Sequence, residues 1–264
     1  MFNLFKRVKP LKVGLALGGG AARGFAHIGV LNVLREHNIP INMVAGTSAG
    51  SIVGALYAAG EPLSEIERTA KKLSIFDVMH PSFSFKGLSD SSVISKILRP
   101  YLKNKKFSDL KIPFAAIATE LATGKEVVIR KGPVMLAVQA SSSYPIIYTP
   151  TKINNKVYID GGFTRNVPVI PLKKMGADFI IAVDVIPDIV MEEEPQDAIG
   201  IMNIAQDVLL RRSYLQDIEA ADVVIKPIRK QVMAFEIKDQ EKLIKLGEKA
   251  AREKISEIKR RLGI

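Results

Sequence analysis

A serine framed by glycines is the first candidate for chemistry in this sequence. Residues 46–50 are GTSAG, the one G-x-S-x-G run in the chain, and they place Ser48 between Gly46 and Gly50. A strand-like run precedes them and a run of small, helix-forming residues follows. On such a tight strand-to-helix turn the hydroxyl points outward, and the glycines leave room for it. The pattern predicts Ser48 as a nucleophile at the amino end of the next helix, which favours developing negative charge.

A serine hydroxyl needs a base, and the usual triad would supply a histidine after the serine. The chain has three histidines, of which His27 and His37 precede Ser48. Only His80 follows it, inside residues 74–92, a Phe-rich segment without clear periodicity. That segment is predicted to be a structured loop, with a mobile apolar flap as the alternative. A His-dependent esterase using His80 stays open as a second enzyme hypothesis.

A carboxylate is the other candidate for the base. Asp160 follows the strand-like run 156–159 and precedes Gly161 and Gly162, which allow a tight turn and a close backbone approach. Capping of an Asp-Gly turn is the alternative role for this residue. An aspartate with an ordinary pKa of about 3.9 is a weak base at neutral pH, so burial or a hydrogen bond from the serine would have to tune it.

Acyl transfer also needs amide donors for a tetrahedral oxyanion. Residues 18–24, GGGAARG, follow the first strand-like run and open a helix. The backbone N–H groups of Gly18, Gly19 and Gly20 can form such a hole, and Arg23 adds positive charge nearby. A dinucleotide-binding turn would need glycine where Arg23 stands, and a P-loop would need a GK[ST] run that the chain lacks. The run therefore favours an oxyanion loop over a nucleotide loop.

Strand-like and helix-like runs alternate along the chain, which is typical of a sheet covered on its faces by helices. The predicted strands are 12–17, 41–45, 112–121, 126–130, 156–159, 178–185 and 222–226. The predicted helices are 24–36, 51–59, 63–73, 133–141, 199–219 and 236–261. No linker requires a domain boundary, so residues 1–264 are expected to form a single domain, with residues 1–10 as a short extension.

Composition narrows the classes of partner. The 264 residues include 38 Lys plus Arg and 27 Asp plus Glu, a formal charge of +11 that favours anionic partners. Nucleic acid is disfavoured because few aromatic residues interleave with the basic ones and tryptophan is missing. The chain has no cysteine, which excludes a cysteine nucleophile, a thiolate zinc site and disulfides.

The apolar segments predict a cytoplasmic protein, with peripheral association at the inner membrane surface as the alternative. The first ten residues have no apolar run long enough for a signal peptide, and glycines interrupt the longest apolar stretch, residues 13–34.

The helix at 236–261 has an apolar stripe among basic residues, and we expect it to pack on the domain, with contact to anionic lipid as the alternative. The helix near 199–219 is left between packing on the sheet and mediating a dimer, so the oligomeric state stays unknown.

Four motifs in order resemble those of the patatin-like phospholipases, most closely the short single-domain bacterial members. They are GGGAARGFAHIG, GTSAGS, ASSSYP and DGGFTRNVP, and the resemblance runs from about Val13 to Pro168 and more loosely to the C-terminal helix. It implies a three-layer α/β/α fold with a mainly parallel central sheet. It also implies a Ser–Asp dyad, with Ser48 as nucleophile and Asp160 as base, and neither a metal nor another cofactor.

The resemblance places the oxyanion loop at Gly18, Gly19 and Gly20, with Arg23 beside them. Ser143 and Tyr144 depart from the family pattern, which often has alanine and a smaller apolar residue there, so chain-length specificity is in doubt. The expected activity is hydrolysis of carboxylic ester bonds in lipids, either phospholipid or lysophospholipid. A regulatory or adaptor protein that keeps the fold and binds a partner or a membrane surface is the alternative.

Overall fold

Short apolar runs, buried on both faces, form the centre of the protein. The structure is a computed structural model that describes residues 10–73, 81–84, 87–145, 147–187, 198–229 and 239–264. Its strands are β1 Val13–Leu17, β2 Met43–Thr47, β3 Pro81–Ser84, β4 Gly87–Ser89, β5 Phe114–Glu120, β6 Lys125–Ile129, β7 Thr151–Ile153, β8 Lys156–Asp160, β9 Phe179–Val183 and β10 Val223–Ile225. Its helices are α1 Ala26–Glu36, α2 Ala49–Ala58, α3 Leu63–Lys72, α4 Ser92–Leu102, α5 Val134–Ser141, α6 Val169–Met175, α7 Ala198–Ile218 and α8 Gln240–Leu262.

The main sheet has the strand order β10-β9-β1-β2-β5-β8-β7, and β6 also pairs with β5. The strands from β10 to β5 are parallel, whereas β6, β7 and β8 add antiparallel pairs at one side. Every residue of β1, β2 and β9 is buried, as parallel strands covered on both faces require. The predicted α/β class with a mainly parallel sheet is confirmed.

Helices cover both faces of this sheet, and alternate residues of β1 show how the layers divide. Leu15 and Leu17 belong to the apolar cluster that contains residues of α1, α2 and α8. Ala16 points to the opposite side, where it belongs to a cluster with residues of α6 and α7. The sheet is therefore the middle of three layers, with α7 in the layer opposite α8.

The apolar stripe of α8 packs against α1, at a crossing where two glycines bring the backbones together. A Cβ atom on Gly29 would lie 2.0 Å from the carbonyl oxygen of Ile244, and one on Gly247 would lie 2.0 Å from that of Ala26. Ile255 and the neighbouring apolar residues of the stripe are buried. The expected packing on the domain is therefore what the structure has, and α8 has no free apolar face for lipid.

Several elements had no prediction from the sequence: α4, α6, β7 and the β3–β4 hairpin. The hairpin lies inside the predicted loop at 74–92, but residues 74–80, 85 and 86 fall outside the described residues. His80 and the flap hypothesis lie there, as do the N-terminal extension at 1–9 and the start of the predicted helix at 236. In the described part of the chain, no helix is both long and apolar enough to cross a membrane.

Candidate active site

Two strands meet end to end along one edge of β5, and this arrangement brings Ser48 and Asp160 together. β2 pairs with the first half of β5, where Thr47 lies opposite Ile117. β8 pairs with the second half, where Asp160 lies opposite Ala118. Because β6 pairs with residues of both halves, it occupies the other edge, and β2 and β8 share one. The ends of β2 and β8 are thus one residue apart along β5, and Ser48 follows directly.

Ser48 occupies a strained turn between β2 and α2. Its backbone has φ 50° and ψ −124°, a conformation that costs a residue with a side chain about 1–3 kcal/mol and is found mostly at functional sites. Its N–H donates to the Ser141 hydroxyl at 3.0 Å, and its carbonyl accepts from the Ser51 N–H at 2.8 Å. The turn is therefore held by α2 and α5, and Ser48 itself stays partly exposed.

The predicted supporting glycines are needed for close backbone contacts. A Cβ atom on Gly46 would lie 2.4 Å from the carbonyl oxygen of Gly50, and one on Gly50 would lie 2.2 Å from that of Leu17. On the Asp160 side, a Cβ atom on Gly161 would lie 2.2 Å from the carbonyl oxygen of Ile117. Side chains at these positions would push α2 away from β1 and the Asp160 turn away from β5.

Asp160 is a buried carboxyl group with one oxygen left free for chemistry. Its Oδ1 accepts the Gly162 N–H at 2.8 Å, and its carbonyl accepts the Thr119 hydroxyl at 2.9 Å. Its Oδ2 is buried and has no hydrogen-bond partner among the described residues. Burial raises the pKa of Asp160 to about 6, against the smaller lowering effects of the Ser48 side chain and the Gly162 amide. The Ser48 side chain is thus close enough to lower the pKa of Asp160, although the two groups do not form a hydrogen bond of standard geometry. Such long contacts between catalytic groups are common before substrate binds.

The glycine loop after β1 reaches Ser48. A Cβ atom on Gly19 would lie 3.1 Å from the Cβ of Ser48. The amide of Gly18, however, donates to the carbonyl of Val183 in β9 at 3.0 Å, which continues the pairing of β1 with β9. In this structure the Gly18 N–H is thus engaged with β9, and the Gly19 N–H is likewise engaged, by the carbonyl of Asn166. The Gly20 amide has no acceptor among the residues that the structure describes, so it is the most directly available donor, and the donor roles of Gly18 and Gly19 remain predictions.

Asn166 and His27 form hydrogen bonds to this glycine loop, a role that the sequence did not predict for either residue. The carbonyl of Asn166 accepts the Gly19 N–H at 3.3 Å, and its Nδ2 donates back to the Gly19 carbonyl at 3.2 Å. His27 donates from Nε2 to the Gly18 carbonyl at 2.7 Å. Burial lowers the pKa of His27 to about 4, although that hydrogen bond raises it, so the ring is neutral at pH 7. His27 lies in the GGGAARGFAHIG motif and Asn166 in the DGGFTRNVP motif, so these motifs were the sequence signal that could have indicated a role for them.

Arg23, beside the glycine loop, forms a buried ion pair with α7. It is fully buried, and its two terminal nitrogens donate to the two carboxylate oxygens of Asp207 in α7 at 2.8 and 2.9 Å. The charge expected beside an oxyanion is therefore compensated by a carboxylate. Arg23 connects the glycine loop to α7, and its predicted role in the oxyanion hole remains a prediction.

The departure at Ser143-Tyr144 puts an aromatic ring beside the candidate base. Tyr144 stacks on Phe163 with 5.5 Å between ring centroids. Burial raises the pKa of Tyr144 to about 12, and the charges of Asp160 and Asp207 add to the effect. The Ser143 carbonyl accepts the Asp160 N–H at 3.0 Å. Ser143 therefore helps to position Asp160, and Tyr144 lies near enough to feel the charge of Asp160.

The family comparison matches the part of the chain that contains these residues. A family model described as patatin-like phospholipase matches residues 15–173. The matched segment is more than half of the chain and includes both Ser48 and Asp160.

Curated relatives are longer than this chain. An uncharacterised NTE family protein of Mycobacterium tuberculosis is 38% identical over 175 residues, which is 65% of this chain and 48% of that protein. The protein named lysophospholipase NTE1 of Cryptococcus neoformans is 34% identical over 192 residues, which is 69% of this chain and 12% of that protein. The chain thus spans about half the length of the first and far less of the second.

Solved structures share the fold at low sequence identity. VipD from Legionella pneumophila has a TM-score of 0.64 and 13% identity, covering 94% of this chain and 67% of that one. Human GIVD cytosolic phospholipase A2, solved in complex with methyl gamma-linolenyl fluorophosphonate, has a TM-score of 0.53 and 13% identity. That comparison covers 96% of this chain and 59% of the human one.

Proposed function

This chain belongs to the patatin-like phospholipase family, and we propose that it hydrolyses carboxylic ester bonds of lipids through a Ser48–Asp160 dyad. One observation carries the proposal. The strained Ser48 turn and the buried Asp160 turn meet on the same edge of β5. The Oδ2 atom of Asp160 has no hydrogen-bond partner among the described residues, and the Ser48 side chain lowers the pKa of this carboxyl group. A nucleophile needs a base within reach, and this pair supplies both.

In the proposed first half-reaction, the Ser48 Oγ attacks the ester carbonyl carbon while its proton passes to Oδ2 of Asp160. The amide of Gly20 donates to the oxyanion of the tetrahedral intermediate, and the amide of Gly19 joins it by leaving the carbonyl of Asn166. The intermediate collapses by breaking the bond to the alcohol oxygen. That oxygen takes the proton from Asp160, and the acyl group stays on Ser48.

In the second half-reaction, water attacks the acyl-enzyme and gives its proton to Asp160. The second tetrahedral intermediate collapses to a carboxylic acid, and the proton returns to Ser48. Burial suits Asp160 to this work, because a pKa of about 6 makes it a stronger base than an exposed aspartate while most of it is still ionised at pH 7.

The names of relatives guide the choice of substrate. Lysophospholipase NTE1 and the human phospholipase A2 point to lysophospholipid and phospholipid. The fatty acid released from lysophosphatidylcholine and from phosphatidylcholine should therefore be measured first. The Tyr144–Phe163 stack beside Asp160 is an apolar surface suited to an acyl chain. Tyr144→Ala should change the chain-length preference more than the turnover.

Covalent labelling tests the nucleophile directly. A lipid-like fluorophosphonate probe should give one adduct, on a peptide that contains Ser48, and Ser48→Ala should give none. Ser51→Ala is the matched control, since Ser51 is the next serine on the same turn and is fully buried. Labelling at another serine, or hydrolysis that persists in Ser48→Ala, would sink the proposed mechanism.

A further inference from the structure

The outward face of α7 is apolar although it is exposed. Ile201, Met202 and Leu209 are 56%, 55% and 59% exposed, and Val208 and Leu215 are also exposed. The spacing is seven residues from Ile201 to Val208 and from Val208 to Leu215. Met202 and Leu209 are also seven residues apart, so all five lie along one side of the helix. We call this set, Ile201, Met202, Val208, Leu209 and Leu215, the α7 stripe.

The opposite side of α7 faces the candidate active site. Asp207 receives the bidentate contact of Arg23, from the glycine loop. Leu210 is buried, and a Cβ atom on Gly162 would lie 2.7 Å from its Cδ2 atom. Because residues of one helix turn are within about 5 Å along the axis, Val208 and Leu209 lie next to these contacts. The α7 stripe is thus the outer side of a helix that covers the site.

The charged groups on α7 itself fit an anionic surface. Asp207 and Asp217, the carboxylates of α7, are both buried and pair with Arg23 and Arg165. Arg212 is exposed on the helix, whereas Glu219 lies just past its end. An exposed apolar face with its acidic groups turned inward and a basic group turned outward matches anionic lipid headgroups over an apolar interior. The formal charge of +11 acts in the same direction.

We propose that the α7 stripe docks on the surface of a phospholipid bilayer that contains anionic lipid, and thereby brings lipid to Ser48. This inference rests on the proposed function for its second half. Phe163, at 41% exposure beside Asp160, extends the apolar surface from α7 toward the base. The fully packed α8 offers no such face, so α7 replaces it as the lipid-facing helix.

Vesicle flotation tests the docking step separately from catalysis. The full chain carrying Ser48→Ala is mixed with vesicles of phosphatidylcholine, with and without phosphatidylglycerol, so that no lipid is consumed. Binding should be stronger with phosphatidylglycerol, and adding Leu209→Glu should weaken the partition coefficient about tenfold. Leu11→Glu is the matched control, since Leu11 is 40% exposed and precedes β1 at the amino ends of the parallel strands, whereas Ser48 lies at their carboxyl ends.

Activity separates this inference from the proposed function. In the wild-type background, Leu209→Glu should lower the hydrolysis of vesicle lipid and leave that of a soluble short-chain ester unchanged. Loss of activity on both substrates would instead place Leu209 in the site itself and overturn the docking role. If wild-type protein binds vesicles but hydrolyses nothing, docking stands and the proposed function fails.

Two further outcomes overturn the docking inference. The first is equal vesicle binding by Leu209→Glu and Leu11→Glu. The second is a wild-type dimer in sedimentation experiments that Leu209→Glu converts to monomer while vesicle binding is unchanged, because the stripe is then an interface between two copies. A circular dichroism melt of each variant confirms that the exposed substitutions leave the fold intact.

Discussion

At the residue scale, the site depends on the way Asp160 is held. The carboxyl group is buried, one oxygen is fixed by the Gly162 amide, and the other is free among the described residues. Burial of an acid favours its neutral form, so the same environment that raises the basicity also sets a lower pH limit on the ionised fraction. Two predictions follow from this environment, one on cooperation with Ser48 and one on pH.

Ser48 and Asp160 should behave as one unit in mutant kinetics. Ser48→Ala is expected to lower kcat/KM by about 10⁴-fold or more, and Asp160→Asn by a similar factor, because each removes the same proton transfer. The double variant should be little worse than either single variant. Steady-state hydrolysis of lysophosphatidylcholine measures all three, and losses that multiply would argue against a dyad.

The pH profile of kcat/KM should have an acidic limb near pH 6. Only ionised Asp160 accepts a proton, and its pKa is about 6, so activity should fall about tenfold per pH unit below that value and level off above it. His80→Ala is the control, since a histidine base would give a limb in a similar range. A limb that disappears in His80→Ala, or one near pH 4, would contradict the role assigned to buried Asp160.

At the element scale, the position of α7 depends on a buried ion pair. Removing one partner of such a pair leaves an uncompensated charge in the interior. Asp207→Asn should therefore lower the free energy of unfolding by about 3–5 kcal/mol and reduce activity, because Arg23 connects α7 to the glycine loop.

The exposed pair between Arg252 and Glu36 gives the matched control for that prediction. It is also a two-point contact, at 2.9 and 2.6 Å, but both side chains are about half exposed. Glu36→Gln should change stability little, because water and salt screen exposed pairs. Chemical denaturation of both variants makes the comparison, and equal effects would show that burial of Arg23 carries no special cost.

The crossing of α1 and α8 is a second element-scale dependence. Alanine is usually better than glycine inside a helix, but a Cβ atom on Gly29 would lie 2.0 Å from a carbonyl oxygen of α8. Gly29→Ala should therefore destabilise the fold by about 2–3 kcal/mol, since the helices must separate.

Gly54→Ala is the comparison for Gly29→Ala. Gly54 also lies inside a helix, but its added Cβ atom would meet only side-chain atoms, of Val44 at 3.0 Å and Phe114 at 3.1 Å. Side chains can adjust where backbone cannot, so the loss of stability should be clearly smaller. Thermal melts of both variants decide the point, and a harmless Gly29→Ala would mean that the crossing is looser than described.

At the scale of the whole molecule, the three layers divide the work of the chain. The sheet aligns Ser48 and Asp160, the layer with α1, α2 and α8 forms the larger apolar cluster, and α7 covers the site from the opposite layer. In this division the basic C-terminal helix α8 packs within the domain. Its apolar side is buried between other elements, whereas α7 turns one apolar side to the solvent.

Local patterns along the chain were sufficient to predict the fold class, the family and the positions of most helices and strands near the site. These follow from local patterns, since buried strands are short apolar runs and tight turns need glycine at fixed places. The order of four motifs was enough to indicate the family, and the shortage of histidine directed attention to Asp160. The roles of Ser48 and Asp160 remain predictions that the geometry supports.

The groups that meet in the site could be identified only from long-range contacts in the folded chain. The joint edge of β5, the engagement of the Gly18 amide by Val183 and the pairing of Arg23 with Asp207 all join segments far apart in the chain. Local periodicity contains no information on such pairings. Apolar residues also lie on both sides of α7, so its pattern did not indicate which side the sheet would cover. One side of α7 packs on the sheet and is buried. The α7 stripe is on the other side of the helix and remains exposed.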